Sequence, residues 1–498
     1  MIYPVGSNEQ RSTLLGYSDT HGHHLRPLKT SEKTSRCISS QLSDSKVLPF
    51  DILILKVRLD CDIQTDMENY CNNILRRKQL FFFILLGVVI ISIIQTHLRF
   101  DSFIQGYTFN TSNWFPQRTD RQQHQTADCY TRITHGISCK KIVAGDAKEI
   151  KKANGIMTKE FRSSFLPEIY PSLTHDCQRY IRTRGFINST MTPGERLFPI
   201  AFSILVYKHA EQVERLLRAV WRPHNVYCIH VDSKSSSIFK GAIQSISKCF
   251  DNIFLLPKPV SVRWGTYTVL EPELLCMEAL WKHKTLWKYF INLTGQEFPL
   301  KTNYELYRTL DAFNGTNDIG GGYKGANFNR WQGRGDPPHN IKPRKGSVHI
   351  AASRGYVDYL LHNNVSRDLL TWVKKTGVPD ETYFATLNYN PHLKVPGSYK
   401  GDVDDGLHDL MTRYKIWYQP TVCSGKFVRA ICVFSVGDLV RMTSSPQLFA
   451  NKFFYDYHHL AYDCLEAWYQ DKVAQELQGR LDFNTTFYSN RWVVRNHF

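Results

Sequence analysis

Asp380 and Glu381 stand side by side in Val378-Pro379-Asp380-Glu381; farther along come Arg429, between Cys423 and Cys432, and then Lys452. A carboxylate can take the proton of an attacking hydroxyl and fixed cations can neutralise a departing anion, so these residue types suit a group transfer with an anionic leaving group. Each also has a plainer reading: acidic residues favour the first turn of a helix, and most Arg and Lys are surface charge. Upstream, Asp232 ends an apolar run, where it could contact a nucleotide or cap the next helix.

The elements that must position these groups read as alternating strands and helices. An apolar run over 198–207 predicts a strand, and Val213, Leu216, Leu217 and Val220 share one face of the helix that follows. A strand over 226–232 completes a β-α-β unit with Asp232 at its carboxyl end. Next come a helix near 238–249, a strand over 252–256, a helix near 270–284, a strand over 289–293 and a helix near 304–313. This alternation predicts an α/β fold with a mostly parallel central sheet covered on both faces. Nucleotides bind outside the carboxyl ends of such strands.

The 498 residues divide unevenly. Residues 79–96 are uncharged, an apolar run from Leu80 to Ile94 with short polar flanks; they follow Arg76, Arg77 and Lys78 and approach the ~20 residues of a bilayer span. The basic flank predicts a signal anchor with its N-terminus in the cytosol. Residues 1–78, polar with one short apolar patch, are then a cytosolic tail with little fixed structure. Residues 97–138 then read as a luminal stem, and 139–498 as the folded luminal domain. The net charge of +17 is scattered among 13% aromatic residues, which does not suit a nucleic-acid partner.

Nine of the twelve cysteines follow the anchor: Cys129, Cys139, Cys177, Cys228, Cys249, Cys276, Cys423, Cys432 and Cys464. None has the close spacing of a zinc site, and an oxidising lumen favours disulfides. Glycosylation sequons at Asn110, Asn188, Asn314, Asn364 and Asn484 also follow the anchor; a further one, Asn292, lies inside an apparent strand and should stay bare.

The luminal region resembles the β-1,6-N-acetylglucosaminyltransferase family of core 2 and I-branching type, with peptide O-xylosyltransferases as distant relatives. The words that carry the resemblance are FPIAFSILVYK at 198, RLLRAVWRPHNVYCIHVDSKS at 215, WKYFINLTGQEFPLKTN at 287, VPDETYFATL at 378, CSGKFVRAIC at 423 and LFANKF at 448. The resemblance implies a GT-A type fold, a Golgi membrane setting, and inverting transfer of N-acetylglucosamine from UDP-N-acetylglucosamine to the 6-hydroxyl of galactose or N-acetylgalactosamine in an O-glycan.

By the same resemblance Glu381 is the base, Arg429 and Lys452 neutralise the diphosphate, and no metal or other cofactor is expected. Leu205, Val206, Asp232 and Trp264 fall on the nucleotide side. Arg330, Trp331, Arg334 and Trp417 fall on the acceptor side. The disulfides implied are Cys139-Cys464, Cys177-Cys249, Cys228-Cys276 and Cys423-Cys432, which leaves Cys129 to link two stems as a homodimer. The family usually has Gly-Ser-Ala-aromatic where this chain reads Gly346-Ser347-Val348-His349.

Asp402-Val403-Asp404-Asp405 looks like a metal-binding Asp-X-Asp motif, but it follows the base segment and matches a variable acidic loop of the family. Gly320, Gly322 and Gly325 imitate a dinucleotide fingerprint without opening a helix. A sulfotransferase would need a phosphate-cradling loop before a helix, and none is present. Two alternatives stay open: xylosyl transfer to protein Ser, and a carbohydrate-binding pseudoenzyme that keeps the fold without the chemistry.

Overall fold

The structure is a computed structural model that describes residues 136–157, 166–401, 410–418 and 421–498. The expected tail, the anchor 79–96, nearly all of the stem with Asn110 and Cys129, and Asp402-Val403-Asp404-Asp405 lie outside the described residues. Among the described residues no helix is long and apolar enough to cross a membrane.

The central sheet has six strands: β1 (Ile200–Val206), β2 (Val226–Val231), β3 (Ile253–Leu255), β4 (Tyr289–Thr294), β6 (Asp318–Gly322) and β7 (Lys345–Ser353), in the order β3-β2-β1-β4-β7-β6. The first four run parallel, β7 is antiparallel to β4, and β6 is antiparallel to β7. The mixed α/β architecture with its mostly parallel sheet is therefore present. Near-continuous Ile, Val, Phe and Leu in β1, β2 and β4 suit strands buried on both faces. Ile200, Phe202 and Ile204 of β1 pack into one core layer with Val213, Leu216 and Leu217. Ala201, on the opposite face, joins Met277, Leu280 and Trp287 in the other.

The helix Ala210–Val220 is buried along its whole length, more than one apolar face requires. Its polar side is covered and paired, as buried charge must be. Glu214 receives Arg184 Nε at 2.6 Å and the hydroxyls of Tyr170 and Tyr180 at 2.8 and 3.1 Å. Arg215 meets Asp463 at 2.7 Å, and Arg218 meets Glu466 at 2.5 Å, on the long helix His459–Leu477. That helix is also tied to residue 139 by the Cys139–Cys464 bond.

The predicted strand 252–256 is trimmed to Ile253–Leu255, and the helix near 270–284 forms as Glu271–Lys282. The helix Asn303–Ala312 starts on a capping box in which Thr302 and Glu305 satisfy each other's backbone N–H groups.

A second sheet lies beside the first. It joins β5 (Glu297–Pro299), β8 (Arg413–Tyr414) and β11 (Phe449–Asn451) in the order β5-β11-β8. A hairpin of β9 (Lys426–Val428) and β10 (Ile431–Val433) follows β8 in the chain. Because β1 leads to β2 on one side while β4 pairs on the other, strand order reverses between β1 and β4. Their carboxyl ends open the crevice where α/β sheets bind ligands.

Candidate active site

Glu381 ends a short helical turn, Pro379–Glu381, that follows Val378 in the left-handed region at φ +49°. That conformation is costly for a β-branched residue, and such strain collects at functional sites. Two backbone bonds hold the turn: Gly377 N–H donates to Arg330 C=O at 2.8 Å, and Val378 N–H donates to Gly265 C=O at 3.1 Å. The second ties the base segment to the Trp264 loop.

Arg330 Nη1 donates to Glu381 Oε2 at 2.6 Å, and the Glu381 side chain keeps 27% of its surface exposed. Its other oxygen has no hydrogen-bond partner among the described residues. Asp380, by contrast, is buried, with Oδ1 unbonded. Burial, reinforced by the neighbouring Glu381 charge, pushes its carboxyl up to about 7. A base must reach its substrate, so Glu381 is the better placed of the two.

Arg429 occupies the tip of the β9–β10 hairpin. Ile431 pairs with Val428, leaving a two-residue turn in which Arg429 and Ala430 both take positive φ, +53° and +60°. Asn-Gly is the usual solution for such a turn. Here two residues bearing Cβ atoms are held left-handed, under the Cys423–Cys432 bond that closes the loop. The Arg429 guanidinium lies 5.6 Å from the centre of the exposed Trp264 ring.

Lys452 follows β11 and donates from Nζ to Val428 C=O at 3.0 Å, so it reaches the same hairpin. Burial, with help from the Arg429 charge, pushes its ammonium down to about 8. If Lys452 binds a diphosphate, affinity should be steady below pH 8 and fall as the pH rises above it, because the free lysine then loses the proton that the complex needs. Calorimetric titration of UDP between pH 6.5 and 9.5 should show that break, and Lys452→Arg should remove it.

On the nucleotide side, Asp232 follows β2 and is buried. It accepts from the Lys234 N–H at 2.9 Å and from Lys234 Nζ at 3.1 Å. The next helix is capped instead by Ser236. Leu205 is half-buried, whereas Val206 packs inward against Gly295. Sequence reasoning missed Lys208, whose Nζ stands 5.5 Å from the Phe454 ring while Lys452 Nζ stands 5.3 Å from the same ring. Its place just beyond the carboxyl end of β1, where open α/β sheets bind ligands, was the available signal.

The acceptor-side residues divide. Arg330 holds Glu381, and Trp417 is half-exposed beside the hairpin, bridged to Ile431. Trp331 presents no open aromatic face. Its ring is 8% exposed and its Nε1 donates to Thr382 Oγ1 at 3.1 Å, so it braces the base segment from behind. Arg334 is exposed on the following loop, and the guanidinium that Glu381 accepts from is that of Arg330.

His349 lies against Glu297, with Nδ1 at 3.4 Å from Oε1. Burial, then the Lys415 and Arg413 charges, hold its pKa well below the usual histidine range. Glu297 also takes Arg413 Nε at 3.0 Å and Asn451 Nδ2 at 2.7 Å, fixing the residue before Lys452.

The four disulfides join the same pairs as in the family pattern: Cys139–Cys464, Cys177–Cys249, Cys228–Cys276 and Cys423–Cys432. Asn188, Asn314, Asn364 and Asn484 are exposed, and Asn292 is buried in β4.

Residues 200–443 match the family model described as Core-2/I-Branching enzyme, with which a GT-A-like arrangement of this sheet is consistent. The chain is 34% identical over 375 residues to a Homo sapiens beta-1,3-galactosyl-O-glycosyl-glycoprotein beta-1,6-N-acetylglucosaminyltransferase, covering 69% of this chain and 87% of that protein. It is 35% identical over 369 residues to a second human enzyme of that name, numbered 3, with 68% and 83% covered. A similarly named protein of bovine herpesvirus 4 is 34% identical over 368 residues, covering 68% of this chain and 83% of its own.

Proposed function

Because the chain belongs to the core-2/I-branching family of β-1,6-N-acetylglucosaminyltransferases, we propose that it transfers N-acetylglucosamine from UDP-N-acetylglucosamine, with inversion, to the 6-hydroxyl of galactose or N-acetylgalactosamine in an O-glycan. The unbonded oxygen of Glu381 takes the hydroxyl proton as that hydroxyl attacks the anomeric carbon. UDP departs from the opposite face, and its charge is met by Arg429 and Lys452 rather than by a metal. Asp232, Leu205 and Trp264 hold the nucleotide, and Arg330 and Trp417 orient the acceptor.

The observation that carries this reading is the convergence of separate segments. The Trp264 loop bonds the Glu381 segment through Gly265, lies under Arg429, and Lys452 bonds the hairpin that bears Arg429. A donor screen with a galactosyl-β1,3-N-acetylgalactosamine acceptor tests it. Transfer from UDP-N-acetylglucosamine should exceed transfer from UDP-xylose by at least ~10-fold. Preference for UDP-xylose, with a Ser-containing peptide as acceptor, would move the chain to the xylosyl reading.

The setting belongs to the same proposal: a single-pass type II protein of the Golgi membrane, anchored by residues 79–96 with its catalytic domain in the lumen. The partners are the nucleotide sugar, the O-glycan of a glycoprotein and the membrane. Cys129 would link two stems, so non-reducing electrophoresis should show a dimer that Cys129→Ser converts to monomer. A dimer that survives the substitution would remove Cys129 from that role.

A further inference from the structure

Two lysines beside the base have no part in the chemistry derived so far. Lys345, Ser347 and His349 alternate onto one face of β7, while the other face is closed at Gly346, where a Cβ would lie 2.4 Å from Ala385 Cβ. Arg413 of β8 and Lys415, two residues on, share a side in the same way. The two strands converge because His349 and Arg413 both meet the fully buried Glu297, at 3.4 and 3.0 Å. Exposure then rises from the buried His349 to the partly exposed Lys345 and from the buried Arg413 to the partly exposed Lys415.

Lys415 Nζ lies 5.6 Å from the centre of the Trp417 ring, which is 48% exposed. Burial pushes the Lys415 ammonium down to about 8, and the charges that act on it include Glu297, Arg413, Glu381 and Lys345. Neither lysine has a carboxylate in ion-pair range among the described residues, and Glu297 is already shared by Arg413, Asn451 and His349. Half-buried ammonium groups left this way are costly unless a bound anion completes them.

We propose that Lys345 and Lys415 form a subsite for an anionic group, a carboxylate or a sulfate ester, carried by the acceptor saccharide that rests against Trp417. This inference rests on the transferase reading and names its acceptor class: an acidic glycan in preference to a neutral one. A phosphate of the donor is a poorer fit, since Arg429 and Lys452 already serve that group on the hairpin.

Calorimetric binding to the UDP complex of the full chain tests the subsite apart from catalysis, using a neutral galactosyl-N-acetylgalactosamine glycoside, its sulfated form and its sialylated form. One acidic ligand should bind about tenfold or more tightly than the neutral one, the scale of a charge-assisted hydrogen bond, and the arm that does so identifies sulfate or carboxylate. The Lys345→Met/Lys415→Met double variant should bring that ratio close to one, and Lys415→Arg alone should retain it. An unaltered melting temperature would separate this loss from misfolding.

Equal or weaker binding of both acidic ligands to the wild type would overturn the proposal. So would weakened UDP binding in the double variant, which would reassign the lysines to the donor. Absence of sugar transfer to all three ligands would instead defeat the transferase reading while leaving the binding ratio intact.

Discussion

Glu381→Gln is expected to lower the transfer rate by ~10²–10⁴-fold, the usual contribution of a general base, while UDP binding and thermal stability stay close to wild type. The amide oxygen can still accept from Arg330, which now donates to Glu381 Oε2 at 2.6 Å, so the Pro379–Glu381 turn keeps its anchor. What is lost is the basic carboxylate that takes the acceptor proton. Single-turnover transfer with pre-bound donor checks this, because it isolates the chemical step from product release. Retention of most of the activity would remove Glu381 from the role, and Asp380, buried with its carboxyl raised to about 7, would be the next residue to substitute.

The second large effect concerns the leaving group. Arg429→Ala should reduce kcat/KM by ~10–150-fold, corresponding to about 1.5–3 kcal/mol for a lost charged hydrogen bond. Arg429→Lys should restore only part of it, because an ammonium cannot reproduce a planar, two-pronged contact with a diphosphate. Full chelation with EDTA should leave most of the wild-type activity, and Asp402→Ala and Asp404→Ala should be mild. Steady-state rates for the wild type and the four variants with and without EDTA supply the check. Activity abolished by chelation and restored by manganese would move the diphosphate from Arg429 and Lys452 to a metal at the Asp402 motif.

The nucleotide half of the fold was legible because local pattern and tertiary environment agree there. β1, β2 and β4 are nearly continuous apolar runs buried on both faces, and the capping box at Thr302 marks a helix start directly. Past residue 313 the strands that carry the site are short. β8 has two residues and β11 has three, too few to show a period, yet β11 delivers Lys452 and β8 leads to Lys415.

Side-chain direction was the other gap. Trp331 and Arg330 are neighbours in sequence, but one points into the core and the other to Glu381. Similarly, nothing in the linear order foretold that Glu297, Arg413, His349 and Asn451 would meet around one buried carboxylate. The polar face of Ala210–Val220 is likewise covered by partners, Asp463 and Glu466, that arrive from far downstream.

The central claim is metal-free, inverting transfer of N-acetylglucosamine to a 6-hydroxyl. The purified full chain, incubated in EDTA with UDP-N-acetylglucosamine and a galactosyl-β1,3-N-acetylgalactosamine glycoside, should yield a product whose proton NMR spectrum shows a β-anomeric N-acetylglucosamine correlated to a glycosylated carbon 6. An α-linkage, attachment at another carbon, or no product until a divalent metal is supplied would contradict the account.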